Sequence, residues 1–369
     1  MSKPIIYLDY NATAPLRPEV VEAMQAVMAE PLNASSQHQA GRRAKQVVEG
    51  TRRKLAEFLN CWPQEIIWCG SASEANNAVI HLFQPQDVLV SSIEHSAIIN
   101  AADGLEQIPV TQEGVVDLDW LKERLAQPNK PKLISVMFAN NETGVIQPVR
   151  KVVKLAQKHG VLVHTDAVQA VGKVPLDFTT LGADYMTLSF HKNGGPVGIA
   201  ALVVKNGAPF QPFIRGGGQE FNRRAGTENV AAIAGVDALL DSWSFEEFER
   251  VGRMIVELEQ ALPPEIMVVG SDAPRIGNTA CLIMPGMSQE VQLMRLDLAG
   301  ICVSAGSACT SGKIEPSHVL KSMNISNGLA SSAIRISAGW NTQKADCEAF
   351  VKAYLAMFTQ CVEDGKIAS

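Results

Sequence analysis

Two stretches decide the fold: Val161-Leu162-Val163-His164-Thr165-Asp166-Ala167-Val168-Gln169 and Tyr185-Met186-Thr187-Leu188-Ser189-Phe190-His191-Lys192. Each starts as a short apolar run of strand length and ends in polar residues that can do chemistry. Two earlier runs behave alike. Residues 88–90 lead into Ser91-Ser92-Ile93-Glu94-His95, and residues 133–138 lead into Asn140-Asn141-Glu142-Thr143-Gly144. Residues 199–204 form a further run of this kind. Between them lie segments of helical period, such as residues 149–159 with Gly160 as a stop signal. Strands alternating with helices predict an α/β fold, a parallel or mixed sheet wrapped by helices. Ligands in such folds sit beyond the carboxyl ends of the strands. Four successive strand ends here deliver His, Asn, Asp with Gln, and His with Lys, so that edge is the expected site.

The second half differs in character. Residues 242–262 read as one long charged helix, stopped by Pro263-Pro264. Beyond it, residues 266–269, 280–284 and 301–303 read as strands of a second, smaller sheet. The expected division is a large domain over residues 13–250 and a small one made of residues 1–12 with 251–369. The run Arg42-Arg43-Ala44-Lys45 and Arg52-Arg53-Lys54, with Glu49 and Glu57, sits at helical spacing and reads as a solvated helix face.

Composition narrows the class of protein. The chain has 369 residues, 46% hydrophobic and 19% charged, an ordinary globular balance. A net charge of −6 gives no basic footprint, so no direct nucleic-acid binding is expected. No run is long and apolar enough for a membrane helix, and the first fifteen residues do not read as a signal peptide. Seven cysteines, an odd number in so long a chain, do not make a disulfide framework. A reducing cytoplasm is the expected setting. No CxxC spacing occurs, so no structural zinc is expected.

A lysine at a strand end, beside a histidine and downstream of an aspartate at another strand end, suits pyridoxal phosphate (PLP). That cofactor is held as a Schiff base by a lysine amine, with an acidic partner at its pyridine nitrogen. Lys192 would carry it and Asp166 would face the ring nitrogen. Asn141 and Gln169 would reach the phenolic oxygen, and His95 would stack on the ring and move protons. The phosphate needs donors at a turn or helix N-terminus. Gly70-Ser71-Ala72-Ser73 supplies one ahead of a helix expected over residues 75–83, with Ser73 near its cap. Ser189 and His191 would add side-chain donors. Each residue alone is most often structural; their joint placement carries the reading.

These motifs resemble those of the PLP-dependent cysteine desulfurases of the NifS/IscS type, within the fold type I, class V aminotransferase-like enzymes. The matching residues include Tyr7-Leu8-Asp9-Tyr10-Asn11-Ala12-Thr13-Ala14, Ser73-Glu74-Ala75-Asn76-Asn77, Glu94-His95, His191-Lys192 and Gly216-Gly217-Gly218-Gln219-Glu220. Arg224-Ala225-Gly226-Thr227, Ser304-Ala305-Gly306-Ser307-Ala308-Cys309 and Ile334-Arg335-Ile336-Ser337 continue the match. The resemblance implies a large domain of mainly parallel sheet flanked by helices, and a smaller α/β domain carrying the Cys309 loop. It implies Ala72, Ser73, Ser189, Phe190 and His191 around the phosphate, and Thr227 reaching the PLP of a neighbouring subunit in a homodimer. Arg335, assisted by Asn33, would bind the carboxylate of L-cysteine. Cys309 would take the substrate sulfur as a persulfide and pass it to an acceptor such as an iron–sulfur scaffold. A transient iron–sulfur contact through Cys309 is implied by the same resemblance.

The loop around Cys309 is small and polar almost throughout, a composition that favours a flexible chain. The other six cysteines read as small hydrophobes. Some positions depart from the family pattern: Ser73 stands where threonine is usual, Val197 where relatives often carry lysine, and Tyr10 where asparagine or histidine is common. Residues 81–87 are short. A class V aminotransferase, a selenocysteine lyase or a catalytically weak dimeric scaffold for iron–sulfur assembly are the alternatives on this fold.

Overall fold

A seven-stranded sheet dominates the structure, a computed structural model that describes residues 5–305 and 317–365. After a short first strand, β1 (Ile6–Tyr7), the sheet is built from β2 (Ile66–Cys69), β3 (Val88–Ser91), β4 (Glu106–Ile108), β5 (Leu133–Ser135), β6 (Leu162–Asp166), β7 (Tyr185–Ser189) and β8 (Ala200–Val204). Their order is β2-β8-β7-β6-β5-β3-β4. The run from β7 to β4 is parallel, and β8 is antiparallel to both neighbours. The carboxyl ends of β2, β3, β5, β6 and β7 therefore share one edge, as the sequence pattern requires. Helices cover both faces, and the strand residues alternate between two cores. In β2, Ile66 and Trp68 enter one core while Ile67 and Cys69 enter the other.

Two strand boundaries differ from the sequence reading. β6 runs on past the apolar residues to Asp166 and carries His164, Thr165 and Asp166 buried into the sheet. His164 is fully buried, with Nδ1 2.8 Å from Ser135 Oγ and Nε2 3.0 Å from Thr187 Oγ1. Burial pushes its pKa down to about 4, so the ring is neutral. β5, by contrast, stops at Ser135, and residues 136 and 138 continue only as single hydrogen bonds to His164 and Asp166.

The smaller sheet holds β9 (Met267–Val268), β10 (Thr279–Ile283), β12 (Ser304–Ala305) and β13 (Ala333–Ser337), in the order β12-β13-β10-β9. The strand expected at residues 301–303 does not join it. As β11 (Ile301–Cys302) it pairs in parallel with β1 instead. Leu8 packs into a core with Leu282, Ile334, Ile336 and the helices Phe245–Gln260 and Lys344–Glu363. The long charged helix is shorter than expected. Ser244 caps it at the start, and Ser242 ends a separate helix, Val230–Ser242.

The basic run on the helix Gln39–Leu59 is not wholly solvated. Arg52 is 1% exposed and forms a bidentate ion pair with Glu220, both contacts at 2.7 Å. It also donates to the Ile66 carbonyl at 2.8 Å and lies over the Trp68 and Phe221 rings. Charge spacing alone cannot distinguish this buried arginine from its exposed neighbours. Glu220, Phe221 and Asn222 all adopt positive φ, so this ion pair holds a strained turn.

Candidate active site

The shared strand edge opens into a cavity of about 340 Å³. Its lining includes Ser71, Ala72, Ser73, His95, Asn141, Asp166, Gln169, Ser189, His191 and Lys192. Thus nearly all the residues chosen from the four strand ends meet in one place.

Local structure explains each placement. The helix Ala72–Ile80 starts three residues earlier than the sequence suggested, and Ser71 caps it by accepting from Glu74 N at 3.1 Å. Ser73 is therefore not the cap, and it lies in the first turn on the cavity wall. The first-turn amides of such a helix form an anion site. Lys192 sits in a short 3-10 turn, His191–Asn193, that ends at Gly194 with φ 91°. A Cβ there would come within 2.6 Å of Arg17 Cγ, so only glycine lets the turn close.

Asp166 ends β6 with both oxygens engaged. Asn76 Nδ2 donates to Oδ2 at 2.7 Å and Val168 N to Oδ1 at 2.9 Å. Each oxygen keeps a second lone pair for another donor. Asn76 thus orients Asp166, a role that its place in the Ser73–Asn77 motif does not reveal.

The electrostatics favour neutral bases. Lys192 lies at about 8, lowered chiefly by burial and also by the Arg335 charge, with Asp166 and Asp9 opposing. His191 is pushed down to about 4, first by burial and then by Lys192 and Lys173. Its Nδ1 lies 3.1 Å from Thr13 Oγ1. Burial also lowers His95, with Asp166 opposing and Lys192 assisting. His95 Nδ1 accepts from Ala97 N at 3.1 Å, which leaves the proton of the neutral ring on Nε2. Next to it, Glu94 is fully buried and raised to about 8 by desolvation. Ser91 Oγ and Met137 N both donate to its Oε1 at 2.6 Å, and its Oε2 has no partner among the described residues.

The remaining expected residues stand elsewhere. Phe190 turns its ring into the core, 6.1 Å from Trp68, and does not line the cavity. Thr227 is exposed and edges a separate depression of about 80 Å³ that shares Gly70, Gly198 and Ile199 with the main cavity. Asn33 is exposed, and its Oδ1 accepts from Ser35 N at 2.9 Å. Arg335 is 5% exposed; its Nη2 pairs with Asp9 at 2.7 Å and its Nη1 donates to the Asn141 carbonyl at 3.0 Å. Its Nε has no partner among the described residues. Cys309 lies outside the described residues. Among those described, no group of three metal-ligating side chains is placed to hold a metal ion. Burial raises the thiols of Cys69, Cys281 and Cys347, in keeping with packing roles.

The donor set fits PLP. A buried amine of lowered pKa, a carboxylate with free lone pairs and a helix N-terminus face one cavity.

The aminotransferase class-V family profile matches residues 6–350, and the chain belongs to that family of PLP-dependent enzymes. Within it, the chain groups with the NifS-like cysteine desulfurases. It is 38% identical to the cysteine desulfurase IscS of Dictyoglomus turgidum over 362 residues, 92% of this chain and 91% of that protein. The solved NifS-like protein of Rickettsia africae superimposes with a TM-score of 0.89 at 36% identity, covering 96% of this chain and 99% of that one. The structure of SspA in complex with cysteine covers 90% of this chain and 98% of its own, with a TM-score of 0.79 and 28% identity.

Proposed function

We propose that this protein is a cysteine desulfurase that converts L-cysteine to L-alanine and carries the sulfur away as a persulfide on Cys309. The observation that carries the reading is the meeting of Lys192, Asp166 and the first turn of the helix Ala72–Ile80 in one cavity. PLP bound there supplies an electron sink for the charge left when the substrate Cα loses its proton.

The chain's own residues would act as follows. Asp166 holds a proton at the ring nitrogen, with Asn76 fixing its orientation. Ala72, Ser73, Ser189 and neutral His191 donate to the phosphate, and Asn141 and Gln169 face the ring. Lys192 Nζ, neutral in a useful fraction near pH 7, removes the α-proton. His95 is the less suitable base, since its Nδ1 lone pair is taken by Ala97 N. It fits better as an Nε2–H donor. Arg335 binds the substrate carboxylate, with Asn33 assisting. The Cys309 thiolate would attack the substrate sulfur, the carbon–sulfur bond would break with its electron pair left on the substrate carbon, the thiol proton would go to Cβ, and Lys192 would return its proton to Cα, giving alanine and a Cys309 persulfide. The sulfur then passes to a thiol of an acceptor, such as an iron–sulfur scaffold protein.

The working form is a cytoplasmic homodimer in which Thr227 reaches the neighbour's phosphate. The exposure of Thr227 and of Phe221 supports that reading. We also assign residues 13–250 to the large unit and residues 1–12 with 251–369 to the small one. The β1–β11 pairing and the burial of Leu8 against the second core support this division.

The test is alanine release from L-cysteine by the PLP-loaded protein. Wild type should release it, and Cys309→Ala should lose it while keeping the visible absorption of the bound cofactor. Unchanged alanine release by Cys309→Ala would rule out the proposed sulfur transfer.

A further inference from the structure

Asn11 stands one residue before Ala12, which lines the cavity, and it is 1% exposed. All of its polar groups are engaged. Its backbone N–H donates to Ser337 Oγ at 2.9 Å. Its Nδ2 donates to the Asn141 carbonyl at 3.1 Å and to Thr279 Oγ1 at 2.8 Å. Its Oδ1 accepts from Lys173 Nζ at 3.1 Å and from Asn278 Nδ2 at 3.2 Å, and its carbonyl accepts from Gln169 Nε2 at 3.1 Å.

The partners make this more than a well-packed asparagine. Gln169 and Asn141 line the cavity on the side assigned to the cofactor ring. Ser337 lies two residues beyond Arg335 on β13, and Arg335 Nη1 donates to the same Asn141 carbonyl that Asn11 holds. Lys173 Nζ closes a ring of contacts by donating to Gln169 Oε1 at 2.8 Å. The Gln169 carboxamide thus has its oxygen held by Lys173 and its nitrogen held by Asn11, which fixes its orientation. Lys173 is itself buried, and its hydrogen-bond acceptors are neutral. Removing one member of such a network strands several buried polar atoms at once.

We propose that Asn11, with Lys173, is a positioning residue for the reaction: it holds the Gln169 carboxamide and the Asn141 backbone carbonyl in register with the guanidinium that takes the substrate carboxylate. The proposal rests on the desulfurase reading for the roles of Gln169, Asn141 and Arg335. Asn11 acts only through them. Lys173 touches the ring side directly, through Gln169, and reaches Asn141 and Arg335 only through Asn11.

The experiment compares PLP-loaded wild type, Asn11→Ala and Lys173→Met. The readouts are the dissociation constant for PLP, the visible absorption maximum without substrate, and KM and kcat for L-cysteine. Lys173→Met should shift the absorption maximum and weaken PLP binding several-fold, with KM kept within about two-fold of wild type. Asn11→Ala should do the same and also raise KM about ten-fold, since it frees Asn141 and the arm bearing Arg335. If Asn11→Ala does not fold, Asn11→Ser takes its place, with the same direction expected in each readout. Folded Asn11 variants with wild-type PLP affinity, absorption and KM would overturn the proposal. So would a fall in thermal stability alone, with these constants unchanged per folded molecule. Should wild type release no alanine from L-cysteine, the desulfurase reading fails, while PLP affinity and absorption still decide the positioning claim.

Discussion

Along the large-sheet edge, the Lys192 amine and the first-turn amides of the helix Ala72–Ile80 face the cavity, whereas at the junction of β1, β10 and β13 most polar groups are spent on one another. Lys192 is half-buried on the cavity wall with no carboxylate in salt-bridge contact among the described residues, and the first-turn amides beside Ser71 point to a ligand site. Asn11 is saturated, and Arg335 is tied to Asp9 and Asn141. The open wall receives a ligand without first breaking a bond. The saturated junction sets geometry instead, and a substrate carboxylate must share Arg335 with Asp9. One region supplies reactivity and the other supplies alignment, which is how enzymes commonly divide the task.

The sharpest way to break this contrast is at the open wall. Lys192→Ala should abolish the visible absorption of the bound cofactor and lower alanine formation by about 10³-fold or more. Residual activity near wild type would show that another group does the chemistry. The same amine gives a pH test. With a pKa of about 8, roughly a tenth of it is neutral at pH 7. The rate at which the apoprotein condenses with PLP should therefore rise with pH through about 8 and then level off, as a stopped-flow trace at the visible band would record. A rise centred near the free-lysine value would contradict the depressed amine.

The junction should respond more mildly. Asp9→Asn leaves Arg335 in place but removes the charge that holds its Nη2. KM for L-cysteine should rise about ten-fold, with kcat changed less. A fall in KM would mean that Asp9 competes with the substrate instead of aligning Arg335.

The smallest effect is expected at Glu94, which belongs to neither activity. Its folded pKa of about 8 lies above the unfolded carboxyl value, so it is protonated in the neutral range. Its contribution to stability is full at low pH and is lost as pH rises towards 8, because the unfolded chain ionises first. Glu94→Gln should cost no more than about 1 kcal/mol at pH 5. Urea unfolding of the apoprotein should show the variant gaining on wild type between about pH 5 and pH 8. A variant that loses ground over that range would mean Glu94 is ionised in the fold.

The open wall was legible because short apolar strands announce themselves and their next residues must sit at the sheet edge. Asp166, Gln169, His191 and Lys192 could be read that way, and the family resemblance added Thr227, Arg335 and Cys309. The junction was not legible. Asn11 meets Ser337 across 326 residues and Thr279 across 268, and no local period encodes such contacts. Phe190 shows a related limit: the chain leaves β7 at Ser189 for the short 3-10 turn, and the Phe190 ring packs beside Trp68 in the core. Arg52 shows the same limit, since helical spacing says which residues share a face but not what covers that face.

The most direct test of the central claim is to map sulfur after one turnover of the PLP-loaded protein with L-cysteine. Peptide mass analysis should find one added sulfur on the peptide containing Cys309, matched by one alanine released. Alanine without added sulfur on Cys309, or sulfur on Cys302 in its place, would contradict the assignment of Cys309 as the sulfur carrier.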